Sequence, residues 1–144
     1  MESIIRNMQE KDRADVLCMM RDFYASPAVF TNGSDEIFER DIEQCIGKNP
    51  YIEGYVFERE EIQGYAMLAK SYSTEFGRPC IWIEDIYIKE QYRGLGIGRK
   101  FLRFIESKYP DAIFRLEVEE ENEHAVSLYK SAGFDFLPYL EMKK

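Results

Sequence analysis

The chain has 144 residues, 45% of them hydrophobic and 32% charged, with a formal net charge of -8. That length and balance describe one folded domain, residues 1–144, burying about two-thirds of its unfolded surface, and they exclude a disordered chain. The negative charge argues against nucleic acid as a partner, and no apolar run approaches the ~20 residues of a membrane span. Cys18, Cys45 and Cys80 are odd in number and widely spaced, which makes neither a disulfide framework nor a Cys-x-x-Cys metal site. Charges interrupt any apolar core at the amino terminus, so it does not read as a signal peptide. A reduced, cytoplasmic protein is the expectation.

In chain order, Ser3 to Met8 reads as a first strand. Asp12 is placed to cap a helix with Val16, Leu17, Met20, Phe23 and Tyr24 on one face, stopped by Pro27. After the Thr31-Asn32-Gly33 turn, Ser34-Asp35-Glu36 starts a second helix, and Gly47 ends it. Tyr51–Glu58 and Ile62–Lys70 read as antiparallel strands joined by the charged turn Arg59-Glu60-Glu61. A polar loop leads to Ile81–Ile88, which is β-branched and aromatic and so predicts a strand.

A turn with Gly94, Gly96 and Gly98 follows, and then Ile97, Phe101, Leu102 and Ile105 recur at helical spacing. Ile113–Val118 reads as a strand parallel to the one before the turn, joined to it by a right-handed crossover. Asn122 caps a last helix carrying Ala125, Leu128, Tyr129 and Ala132 and closed by Gly133, and Phe136–Met142 reads as a final strand.

The glycine turn is the strongest chemical signal. A strand feeding such a turn into a helix start makes an anion site, because free N–H groups converge there and the dipole adds roughly half a positive charge. The spacing is not a P-loop, since no Gly-Lys-Ser/Thr follows, and it lacks the G-x-G-x-x-G dinucleotide step. Lys89, Arg93, Arg99, Lys100, Arg103 and Lys108 surround it against only Glu90 and Glu106, a basic island in an acidic protein suited to a polyanion. A tight turn with no ligand is the alternative. It leaves unexplained three near-adjacent glycines that cost about 1 kcal/mol each at a helix start.

Glu84 and Asp85 interrupt an otherwise apolar strand, where an unpaired carboxylate is costly. In a regular strand they point to opposite faces, and a bulge would alter this. His124 falls in a helix's first turn and reads as an exposed surface residue. The count and spacing of His and Cys offer no metal site.

Arg93, Gly96 and Gly98, in the pattern Arg-x-x-Gly-x-Gly after a strand, resemble the coenzyme A signature of the GNAT N-acetyltransferase family. Asn122, Ala125, Tyr129, Gly133 and Phe134 resemble that family's second signature, in its order and at about its spacing. Motif-level resemblance covers Cys80 to Lys144. Within the family, Ile81–Ile88 followed by Tyr92–Gly98 is similar to the diamine (spermidine/spermine) N-acetyltransferase branch.

The resemblance implies an α+β fold with a mixed, twisted sheet of about six to seven strands and about four helices, its central parallel strands splayed. It implies acetyl-CoA as co-substrate and a small cationic primary amine as acceptor, with no metal, and a homodimer. Backbone groups of Ile86, Tyr87 and Ile88 would face the pantetheine arm and the thioester oxygen. The N–H groups of Gly94, Gly96, Ile97 and Gly98 would hold the pyrophosphate. Arg93 and Arg99 would lie near phosphates, and Asn122 would contact the arm. Glu84 would act as base and Tyr129 as acid, with Glu84 and Asp85 binding the amine. Two rivals stand beside this reading: an acetyltransferase acting on protein lysines or amino termini, and a non-catalytic acyl-CoA-binding sensor module.

Overall fold

The computed structural model describes residues 2–144. Its framework is a five-stranded sheet in the order β1 (Ile4–Asn7), β2 (Ile52–Arg59), β3 (Glu61–Ser73), β4 (Arg78–Ile88) and β5 (Ile113–Leu116). The first four pair antiparallel, and β5 joins β4 in parallel. The helices are α1 (Arg13–Tyr24), α2 (Asp35–Ile46), α3 (Ile97–Lys108) and α4 (Glu123–Ser131).

Strand alternation divides the interior in two. On β2, Tyr55 and Phe57 enter the core beneath α3 and α4, while Val56 enters the core beneath α1 and α2. The α3 stripe of Ile97, Phe101, Leu102 and Ile105 is buried against the first core. Phe101 is fully buried and stacks among Tyr55, Phe57 and Phe104. Truncating it to Ala would cost about 3–5 kcal/mol. Val16 and Met20 of α1 and Phe38 and Ile42 of α2 fill the second core.

Two local expectations change. Asp12 precedes α1 without capping it through its side chain. Its carboxylate instead accepts from the Gln9 N–H and pairs with Arg6 at 2.8 Å, because the buried site needs a countercharge more than the helix needs a cap. Ser34 does cap α2, accepting from the Ile37 N–H. The final strand expected over Phe136–Met142 does not form, so the sheet has five strands rather than six or seven. Pro138 has no N–H to give a ladder, and Phe136, Leu140 and Met142 are exposed rather than packed on a neighbour.

The feature that positions the site is the divergence of β4 from β5. Their pairing runs from Cys80↔Ile113 to Ile83↔Leu116 and stops, while β4 continues to Ile88 on its β3 side. The expected splay is therefore present.

Candidate active site

At the point of divergence β4 carries a bulge. Met67 pairs with Asp85, but the next residue of β3, Leu68, pairs with Ile83, so Glu84 is left without a partner. The extra residue reverses the alternation of the strand. Ile81 and Ile83 face the α3/α4 core, and past the bulge Ile86 and Ile88 do so. Asp85 turns to the other side, where it accepts hydrogen bonds from Tyr24 of α1 at 2.9 Å and Tyr65 of β3 at 2.8 Å. It is 4% exposed, and burial pushes its carboxyl up to about 6 against the lowering effect of the two phenols.

Glu84 opens onto a cleft of about 880 Å³. Burial raises its carboxyl above the ordinary value, and the charges of Glu141 and Asp41 raise it further. Ile81 and Ile83 face the α3/α4 core, so the period of two turns Glu84 to the α1/α2 side, where Asp85 also lies. The opposite-face arrangement of a regular strand is thus replaced by a same-side one, through the bulge.

The cleft passes through the opening between β4 and β5. Phe23, Tyr24 and Glu84 line it on one side and Tyr129 on the other. Tyr129 is buried and packs edge-on to Phe134, and burial pushes its phenol up to about 12. Among the described residues no side chain hydrogen-bonds its hydroxyl, and burial is the one cause of its shift. No cysteine lines the cleft.

Sequence reasoning missed four contributors. Tyr24 reads as part of a helix's apolar face and Tyr65 lies unremarked within the Ile62–Lys70 strand, and only the third dimension brings their hydroxyls to Asp85. Glu117 and Glu141 hydrogen-bond to one another at the cleft wall, and that bond, followed by burial, raises Glu117 to about 7. Glu117 was detectable in principle, being the acidic residue just past the end of a parallel strand, where ligands of such sheets bind.

The open edge of β4 and the glycine turn are continuous. Lys89 donates its N–H to the Gln63 carbonyl on the β3 side. The period of two therefore directs the backbone groups of Ile86 and Ile88 to the open edge and those of Tyr87 toward β3. Tyr87 contributes its ring, which lies under the Arg93 guanidinium at 5.4 Å. Arg93 also donates to the Ile88 carbonyl at 2.8 Å.

Gly94 and Gly96 adopt φ of 79° and 82°, a left-handed conformation, and a side chain at either would meet open space. Gly98 differs, because a Cβ there would sit 3.3 Å from Leu128 of α4. The first turn of α3 has no side-chain cap and no acidic residue. Its N–H groups remain available to an anion. Arg99 binds Ser131, joining α3 to α4, and the Asn122 side chain accepts from the Ala125 N–H at the start of α4. His124 is exposed.

An uncapped helix start after left-handed glycines, beside a strand with one open edge, fits a phosphate-bearing ligand with an extended arm. Residues 18–134 match the acetyltransferase (GNAT) family. The chain belongs to that family. It is an acetyltransferase that uses acetyl-CoA. Thialysine N-epsilon-acetyltransferase of Sus scrofa is 35% identical, over 90% of this chain and 82% of the relative. Spermine/spermidine N(1)-acetyltransferase of Bacillus subtilis (strain 168) is 29% identical, over 72% and 70%. In fold, the chain superposes on AAC(6')-Iy in complex with the bisubstrate analog CoA-S-monomethyl-acetylneamine. That match has a TM-score of 0.81 at 12% identity, covering 100% of this chain and 98% of the other.

Proposed function

We propose that this acetyltransferase transfers acetyl directly from acetyl-CoA to a primary amine of a small cationic acceptor, of the polyamine, diamine or thialysine kind. The observation that carries the reading is the concentration of carboxylates around one cleft. Glu84, Glu117 and Glu141 line it between aromatic walls that include Phe30 and Tyr139. The cleft also holds Arg78, Arg115 and Lys130, but its acidic side chains outnumber them, which favours an ammonium group. The names of the two relatives point the same way.

In this reading the pyrophosphate rests on the N–H groups of Gly94, Gly96, Ile97 and Gly98, with Arg93 and Arg99 supplying charge. The pantetheine arm extends along Ile86 and Ile88 as an added strand would, with Asn122 across from it. Glu84 removes the proton that keeps an amine from attacking a thioester, a contribution of about 10²–10⁴-fold. Its raised affinity for protons suits a base working near neutral pH. An open-edge N–H, that of Ile86 or Ile88, stabilises the tetrahedral oxyanion in place of the Tyr87 group. Tyr129 gives its proton to the departing thiolate. The absence of a cysteine from the cleft lining favours direct attack over an acetylated enzyme.

The exposed Phe136, Leu137, Tyr139 and Leu140, next to the edge strand β5, support pairing of two copies through the carboxy-terminal segment. Three free cysteines fit a reduced, cytoplasmic setting. Incubation with acetyl-CoA and spermidine or thialysine, followed by mass analysis, tests the reaction. The N-acetylated amine is expected. Thiol release without an acetylated amine would overturn the reading.

A further inference from the structure

Asp85 is the most deeply buried carboxylate near the site, and neither of its oxygens is free. Tyr24 and Tyr65 each donate to one of them. A side chain so enclosed does not reach into the cleft, and Asp85 is not among the residues lining it. Its effect must therefore pass through something else.

The bulge shows what. Without it, the period of two would place residue 85 on the same face as Ile81 and Ile83, inside the apolar α3/α4 core. A carboxylate there would have no donor, at a cost of several kcal/mol. Two phenols wait on the opposite side instead. Skipping one residue in β4 brings Asp85 to them. The residue skipped is Glu84, which the period of two already places with Trp82 on the cleft side, and the bulge brings Asp85 to that side beside it. The same step returns Ile86 and Ile88 to the core face.

We infer that Asp85, clamped between the Tyr24 and Tyr65 hydroxyls, is a positioning residue that fixes the β4 bulge and so aims Glu84 at the acceptor. The inference rests on the reading of Glu84 as base. Tyr24 has a further consequence, since it also lines the cleft. It therefore couples the inner end of α1 to the strand on which the base sits.

A double-mutant cycle tests this with the full chain, acetyl-CoA and the best amine found. Asp85→Asn keeps the shape of the side chain and exchanges one acceptor for a donor. Tyr65→Phe removes one hydrogen bond only. In the parent, each is expected to lower kcat by about ten- to a hundredfold. In the Glu84→Gln background each is expected to change kcat by less than about twofold, since a misaimed glutamine loses nothing more. Equal losses in both backgrounds would overturn the inference and give Asp85 a role independent of Glu84. If Glu84→Gln alone left kcat unchanged, the base reading itself would fail, which is a separate outcome. Thermal unfolding of each variant guards against simple loss of fold. If Asp85→Asn does not fold, the two single Tyr→Phe variants, at Tyr24 and Tyr65, separate the same two outcomes.

Discussion

Glu84 and Asp85 are neighbours in the chain and both turn toward the α1/α2 side of the sheet. One opens onto the cleft, and the other is buried under two tyrosine hydroxyls. The two carboxylates thus have different work. Glu84→Gln is expected to lower kcat by about 10²–10⁴-fold while leaving the affinity for acetyl-CoA intact. Steady-state kinetics and equilibrium binding check the two halves. Loss of cofactor binding in step with kcat would point to a structural role.

Tyr129→Phe removes only a hydroxyl that no described side chain hydrogen-bonds. Thermal stability is expected to hold, because no side-chain hydrogen bond is broken. The value of kcat is expected to fall by about 10²-fold, by loss of a proton donor to the leaving thiolate. A thiol of lower proton affinity would need the donor less, so a CoA analogue with a better leaving group should narrow the gap. An unchanged kcat would remove Tyr129 from the mechanism.

Gly96 and Gly98 separate conformation from packing. Gly96→Ala places a Cβ at φ 82°, strain of about 1–2 kcal/mol that falls on the anion-binding turn. Weaker acetyl-CoA binding is expected, visible by calorimetry. Gly98→Ala brings a methyl to 3.3 Å from Leu128, so its first effect is on the contact between α3 and α4 and on thermal stability. The reverse pattern would misassign the two glycines.

The Glu117–Glu141 pair predicts a pH effect. Glu117 is held up to about 7 by its bond to Glu141, then by burial, and by the charges of Glu141 and Glu84. A raised folded value means that its stabilising contribution is present below the ordinary value of 4.5 and is lost as pH rises through about 7. Asp85, raised to about 6, acts with the same sign. The free protein is therefore expected to lose thermal stability between about pH 4 and 7. A diamine neutralises the ionised pair, so the rise in Tm that it causes is expected to be larger at the upper end. A ligand-induced shift independent of pH would argue that the pair does not face the acceptor.

Much of this was legible in the sequence, for identifiable reasons. The β4–turn–α3 unit was readable because its glycines, its β-branched strand and its apolar stripe are all local signals. So were the hairpin of β2 and β3, the caps of α2 and α4, and the splay implied by the family resemblance. The last strand was misread because Phe136–Met142 has the composition of a strand, whereas strand formation also depends on a neighbour to pair with. The bulge was invisible, since it is a difference in register between two strands. Its cause lies in Tyr24 and Tyr65, which are far from Asp85 in the chain. Glu117 and Glu141 become a pair only when the carboxy-terminal segment folds back past β5.

The acceptor is the centre of the account, and one competition experiment addresses it directly. The protein and acetyl-CoA are offered spermidine, thialysine and a short lysine peptide together, and the acetylated products are resolved by mass. The account predicts that the small polycationic amines take the acetyl group and the peptide does not. Acetylation confined to the peptide would contradict it.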